Sequence, residues 1–85
     1  MKELQYTIKD EQGIHARPAG LLVKEASKFT SSITITCNEK TGDAKRIFSV
    51  MALGAKCGNI IAVKADGSDE DAAIDALAQF LSTNL

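Results

Sequence analysis

Gly13-Ile14-His15-Ala16-Arg17-Pro18-Ala19 is the stretch on which the reading of this chain turns, because it joins a polar loop to a helix and holds the only histidine. Gly13 permits a tight turn, and Pro18, having no N–H, belongs in the first turn of a helix, where that donor would lack an intrahelical partner. His15 then stands beside the first free N–H groups of the helix, those of Ala16, Arg17 and Ala19. With the Arg17 guanidinium, these donors offer a cradle to an anion at the positive end of the helix dipole. A ring-nitrogen nucleophile next to such a cradle suits phosphoryl transfer. Arginine in a first helical turn is unfavourable for the dipole, a cost that points to a ligand rather than to packing.

Working outward, Leu4, Tyr6 and Ile8 alternate with Gln5 and Thr7 as a half-buried strand should, and Lys9 to Gly13 is a polar loop. From Ala16 to about Lys28 the apolar positions Ala19, Leu22, Val23, Ala26 and Phe29 recur at helical spacing, with Lys24, Glu25 and Lys28 on the other face. Ile33, Ile35 and Cys37 alternate with Thr34, Thr36 and Asn38 in a second strand whose cysteine packs inward. Asn38 to Asp43 reads as a turn with a short third strand, weakened by Gly42. Ile47 to Leu53 is a short helix ended by Gly54, and Ile60 to Ala65 is apolar enough for a central strand. Ser68 with Asp71 forms a capping box for a last helix striped by Ala73, Ala76, Leu77, Phe80 and Leu81. The acidic run Asp66, Asp69, Glu70 and Asp71 therefore reads as helix-start chemistry, not as a metal site.

The order β-α-β-β-α-β-α, with one apolar stripe per helix, predicts an α+β two-layer open-faced sandwich: a four-stranded antiparallel sheet with three helices on one face. A right-handed crossover from the first strand to the second is satisfied if the last strand inserts between them, which gives strand order 1-4-2-3.

The 85 residues suit one domain spanning positions 1–85, and 45% hydrophobic with 25% charged residues is an ordinary globular balance. A net charge of −1 makes no case for a nucleic-acid partner. Cys37 and Cys57 are spaced neither as CxxC nor as a zinc pair, the N-terminus lacks the apolar core of a signal peptide, and no run approaches the ~18 apolar residues of a membrane span. The expectation is a soluble cytoplasmic protein with free thiols, without metal, cofactor or membrane insertion.

The short helix bears on partners. Seven residues from Ile47 to Leu53 cannot bury Ile47, Phe48, Val50, Met51 and Leu53 on one side, so either an exposed Phe48 and Met51 mark a docking surface or Phe48 plugs the sheet. Arg17, Lys24, Lys45 and Arg46 are expected to ring the histidine and favour acidic partners, with the carboxylates at 66–71 at the opposite end.

Gly13 to Ala19 resembles the active-site segment of the HPr family, the histidine-containing phosphocarriers of the bacterial sugar phosphotransferase system. Lys45-Arg46-Ile47-Phe48-Ser49-Val50-Met51-Ala52-Leu53-Gly54 resembles the family's second signature, and the order of elements agrees from Met1 to Leu85. The resemblance implies that His15 takes a phosphoryl group from Enzyme I and passes it to IIA domains of sugar permeases. It further implies that Arg17 and the N–H groups of Ala16 and Arg17 steady that group, and that the protein is a monomer. Ile47, Phe48 and Met51, with Gly20, Lys24, Lys45 and Arg46, would meet the partners. One departure stands out: many relatives carry a serine where this chain has Arg46, and in Gram-positive ones that serine is the target of a regulatory kinase. Ser49, inside the helix, lacks the free N–H groups that stabilise a phosphoserine. General carrier, paralogue dedicated to one relay or regulatory partner, and fold-borrowing binding module are the three readings; a nucleophilic His15 beside Arg17 argues against the third.

Overall fold

A computed structural model describes residues 1–85. The elements are β1 (Lys2–Thr7), α1 (Ala16–Ala26), β2 (Ser32–Cys37), β3 (Lys40–Asp43), α2 (Ile47–Met51), β4 (Ile60–Asp66) and α3 (Glu70–Asn84). The strands form one antiparallel sheet in the order β1-β4-β2-β3. Alternation sets the faces. Tyr6 pairs with Ile61, Leu4 with Val63, and Ile35 with Val63, so the apolar member of each step falls on the helix side. The helices answer with narrow stripes: Pro18, Ala19, Leu22 and Ala26 from α1, Val50 from α2, and Ala73, Leu77 and Leu81 from α3. Together they enclose one core of 19 buried residues, in which each fully buried leucine, isoleucine or valine contributes roughly 1.5–3 kcal/mol.

Helix ends fall short of the sequence reading for one reason. α1 stops at Ala26 rather than Lys28 because Lys28 and Phe29 donate to the carbonyls of Glu25 and Ala26, a tightened i→i+3 turn that folds Phe29 back against the core. α2 stops at Met51 rather than Leu53 in the same way, with Leu53 bonded to Val50 and Gly54 to Met51.

The expected capping box at Ser68 does not form. Asp69 is the N-cap of α3, and its side chain makes no cap bond. Its carboxylate instead accepts from the Ser31 hydroxyl and from the backbone N–H groups of Thr30 at 2.8 Å and Ser31 at 2.9 Å, tying α3 to the turn after α1. Those three donors, the Ser31 hydroxyl foremost, hold the Asp69 carboxyl down at about 2. Glu70 is also held below its usual range, chiefly by the Met1 amino group 2.7 Å away and then by the Gly67 N–H.

Gly42 has a purpose that composition hides. A Cβ at this position would lie 2.7 Å from the Ser49 carbonyl oxygen, so only glycine lets α2 settle on β3.

Candidate functional site

The histidine is delivered by a tied loop. The Asp10 carbonyl accepts the Gly13 N–H at 2.9 Å and the Asp10 Oδ1 accepts the Gln12 N–H at 2.8 Å, closing a tight turn. Gly13 sits at φ +66° against the backbone of Ala55, whose carbonyl oxygen would be 2.3 Å from any Cβ. That same oxygen accepts the Ile14 N–H at 3.0 Å, and the Ile14 side chain is buried. Residues 55–59 are fixed in turn by Asn59, whose Oδ1 accepts from the Lys56 N–H at 2.8 Å and from Asn38 Nδ2 at 3.3 Å.

His15 is the N-cap of α1, in extended backbone conformation, and its ring makes no capping bond. Its carbonyl accepts the Ala19 N–H at 3.0 Å, so Ala19 is not a free donor as the sequence suggested; the helix has already claimed it. The N–H groups of Ala16 and Arg17 have no partner in the chain, and Arg17 makes no ion pair. Three donors with unspent capacity therefore stand at the helix start that His15 caps: two amides and one guanidinium. Such a set holds a tri-oxygen anion.

His15 and Arg17 line a depression of about 290 Å³ with Asp10, Pro18, Leu21, Thr83 and Asn84. Four of these, Asp10, Leu21, Thr83 and Asn84, escaped the sequence reading. Leu21 left a signal, since it is an apolar residue off the buried stripe of α1, and it is 43% exposed. Thr83 and Asn84 left none, because only tertiary folding brings the last turn of α3 to the start of α1. That turn is anchored: the backbone oxygen of Leu85 accepts the N–H groups of Lys9 at 2.6 Å and Asp10 at 2.8 Å.

In α2, Phe48 is 82% exposed and Met51 40%, so Phe48 does not plug the sheet. Ile47 is half-buried and lies on Gly20, where a Cβ would be 3.7 Å from its Cδ1. Lys24 is exposed and unpaired, and Arg46, N-cap of α2, reaches Asp43 at 3.8 Å. Lys45 does not ring the histidine. Its ammonium donates to the Phe29 carbonyl at 2.7 Å, beyond the far end of α1, on the order of 15 Å from His15 at 1.5 Å per helical residue. Arg17 and Lys24, seven positions apart, share one face of α1, while Lys45 is tied at its far end and Arg46 leans on Asp43.

Comparison with known proteins settles the family. The family described as the PTS HPr component phosphorylation site matches residues 2–83. The chain belongs to the HPr family. A phosphocarrier protein HPr from Mycoplasma capricolum is 52% identical over 79 residues, covering 93% of this chain and 89% of that protein. An HPr from Buchnera aphidicola is 46% identical over 76 residues, with 89% of each chain covered. A solved Mycoplasma histidine-containing phosphocarrier superposes with a TM-score of 0.94 at 49% identity, covering 96% of this chain and 93% of that one. Crh from Bacillus subtilis, a catabolite-repression protein solved as a swapped dimer, superposes with a TM-score of 0.78 at 32% identity, covering 100% of this chain and 98% of that one. HPr proteins are phosphocarriers of the phosphotransferase system, so phosphoryl transfer in the service of sugar transport is this family's work.

Proposed function

We propose that this chain, acting as a single cytoplasmic HPr domain over residues 1–85, takes a phosphoryl group on His15 from phospho-Enzyme I and passes it to IIA domains of sugar permeases. The observation that carries this reading is the pair of unpartnered N–H groups of Ala16 and Arg17 beside an uncommitted imidazole at the start of α1. In the transfer, a lone pair on the His15 ring forms an N–P bond as the bond between the phosphoryl group and phospho-Enzyme I breaks, and the breaking pair returns to the donor group of Enzyme I. The two amides and Arg17 meet charge on the phosphoryl oxygens as it spreads over them. Passage to a IIA domain repeats the step with the roles exchanged.

Phe48 and Met51, flanked by Ile47, Gly20, Lys24 and Arg46, make an apolar centre with a basic margin, suited to acidic partner faces. A second reading, a carrier dedicated to one relay, draws support from Arg46: the N-cap of α2 carries no hydroxyl for a kinase to modify, although Ser49, expected inside the helix, lies in its first turn with its own N–H unspent.

The test is incubation with Enzyme I and labelled phosphoenolpyruvate. An acid-labile, alkali-stable label lost in His15→Ala is expected; label retained in that variant refutes the acceptor assignment.

A further inference from the structure

The depression beside His15 has two walls of opposite electrical character. One is the start of α1 with Arg17, positive in both dipole and side chain. The other is the Asp10 carboxylate together with the last turn of α3, whose carbonyl end carries the negative half of its dipole. One Asp10 oxygen accepts the Gln12 N–H, and no cation of the chain pairs with this carboxylate. Its charge is therefore not cancelled within the chain, and Asp10 lines the same depression as His15.

We propose that Asp10 is a positioning residue of the phosphoryl site, a negative wall that keeps a group on His15 loosely held and so ready to be passed on. The inference rests on the phosphocarrier reading and adds to it what sets the transfer potential. A void of about 290 Å³ is on the order of 8 Å across, and at that range in a water-like dielectric a dianion and a carboxylate repel enough to change an equilibrium constant about three- to tenfold. Arg17 alone would hold the phosphoryl group more tightly than a shuttle needs. A carrier must bind and release, and opposed walls meet both demands.

The experiment is a partition. Equal amounts of natural protein and Asp10→Asn share label through a catalytic amount of Enzyme I, so that each transfer breaks one N–P bond and makes another. Asparagine keeps the Oδ1 that accepts the Gln12 N–H, so the turn survives while the charge goes. At about 10 mM salt, where the Debye length is about 30 Å, the variant should hold about three- to tenfold more label than the natural protein, falling toward parity at about 1 M. Thr83→Asp, adding a carboxylate at an exposed position on the same wall, should hold less label than the natural protein. Equal partition at low salt, or a bias indifferent to salt, overturns the role of Asp10. Label that remains in His15→Ala overturns the phosphocarrier reading itself, a separate result.

Discussion

Gly13 and Ala55 touch backbone to backbone, with the Ala55 carbonyl standing where the first side-chain atom of any other residue at position 13 would have to go. The contact fixes the direction in which the chain enters α1, and so the place of the imidazole.

Gly13→Ala should therefore damage both stability and transfer. The left-handed conformation costs an alanine about 1 kcal/mol, and the blocked approach to Ala55 adds a backbone shift, for a total loss of about 2–4 kcal/mol. Denaturant unfolding gives the stability, and label transfer by the folded fraction gives the second effect. A variant as stable as the natural protein would show that the loop yields freely.

Glu39→Gly should do the opposite. Asn38 and Glu39 form the two-residue turn between β2 and β3 with φ of 52° and 68°, the primed geometry in which asparagine is at ease and glutamate is not. Relief of that strain should add about 1 kcal/mol, or a rise of about 4–8 °C in melting temperature for a domain of this size. An unchanged midpoint would place the strain elsewhere.

Phe48→Ala separates docking from packing. An exposed ring leaves no cavity when removed, so the melting temperature should stay within about 2 °C while the apparent KM for the carrier in the Enzyme I reaction rises by about 1–3 kcal/mol in free-energy terms. A large loss of stability with intact affinity would reverse the assignment.

Acid should loosen the tie between α3 and the turn after α1. The Asp69 carboxyl is held down at about 2, so its contribution to stability is present above the unfolded value near 4 and is lost as pH falls from about 4 to about 2. Asp69→Asn should melt lower than the natural protein at pH 7, with the gap shrinking as pH falls through about 4 to about 2 and closing only below about pH 2. A gap as wide at about pH 2 as at pH 7 would mean that the carboxylate charge is not its source.

Arg46 should make transfer salt-sensitive and leave the N-cap of α2 without a target for a serine kinase. The side chain is exposed and held only by a long contact to Asp43, so its charge is available to an acidic partner and is screened within about 8 Å at physiological ionic strength. Arg46→Ser should show a shallower salt slope for transfer from Enzyme I. Serine phosphate on the natural protein after treatment with an HPr kinase and ATP would contradict the reading, and equal slopes would remove its electrostatic part.

What the sequence disclosed, and what it withheld, follow from how far each interaction reaches along the chain. Leu4-Tyr6-Ile8 and Ile33-Ile35-Cys37 announce their strands because period two is a local property, and the helical stripe from Ala19 to Ala26 does the same at period 3.6. Strand order followed from handedness once the elements were known. The cradle of Ala16 and Arg17 was legible because helix starts leave donors unspent wherever they occur, although counting Ala19 among them overlooked the bond it makes to the N-cap. Lys45 misled because its nearness in sequence to Arg46 says nothing of the Phe29 carbonyl it reaches. Ser68 misled similarly: Asp69 found better partners in Thr30 and Ser31, nearly forty positions upstream. Asp10, Thr83 and Asn84 meet only because α1 and α3 lie side by side with the start of one at the end of the other.

The side chain of Asn59 has a practical bearing on where this molecule can carry a label. The β2–β3 turn looks like a free corner for an inserted tag, being exposed and remote in sequence from the histidine. Yet Asn38 in that turn is bonded to Asn59, which holds the Lys56 N–H, next to the Ala55 carbonyl on which Ile14 rests. A probe grafted there would pull on the histidine loop through three neighbours, whereas one carried at position 2 or 3 on the outer strand β1 would leave that chain of contacts untouched.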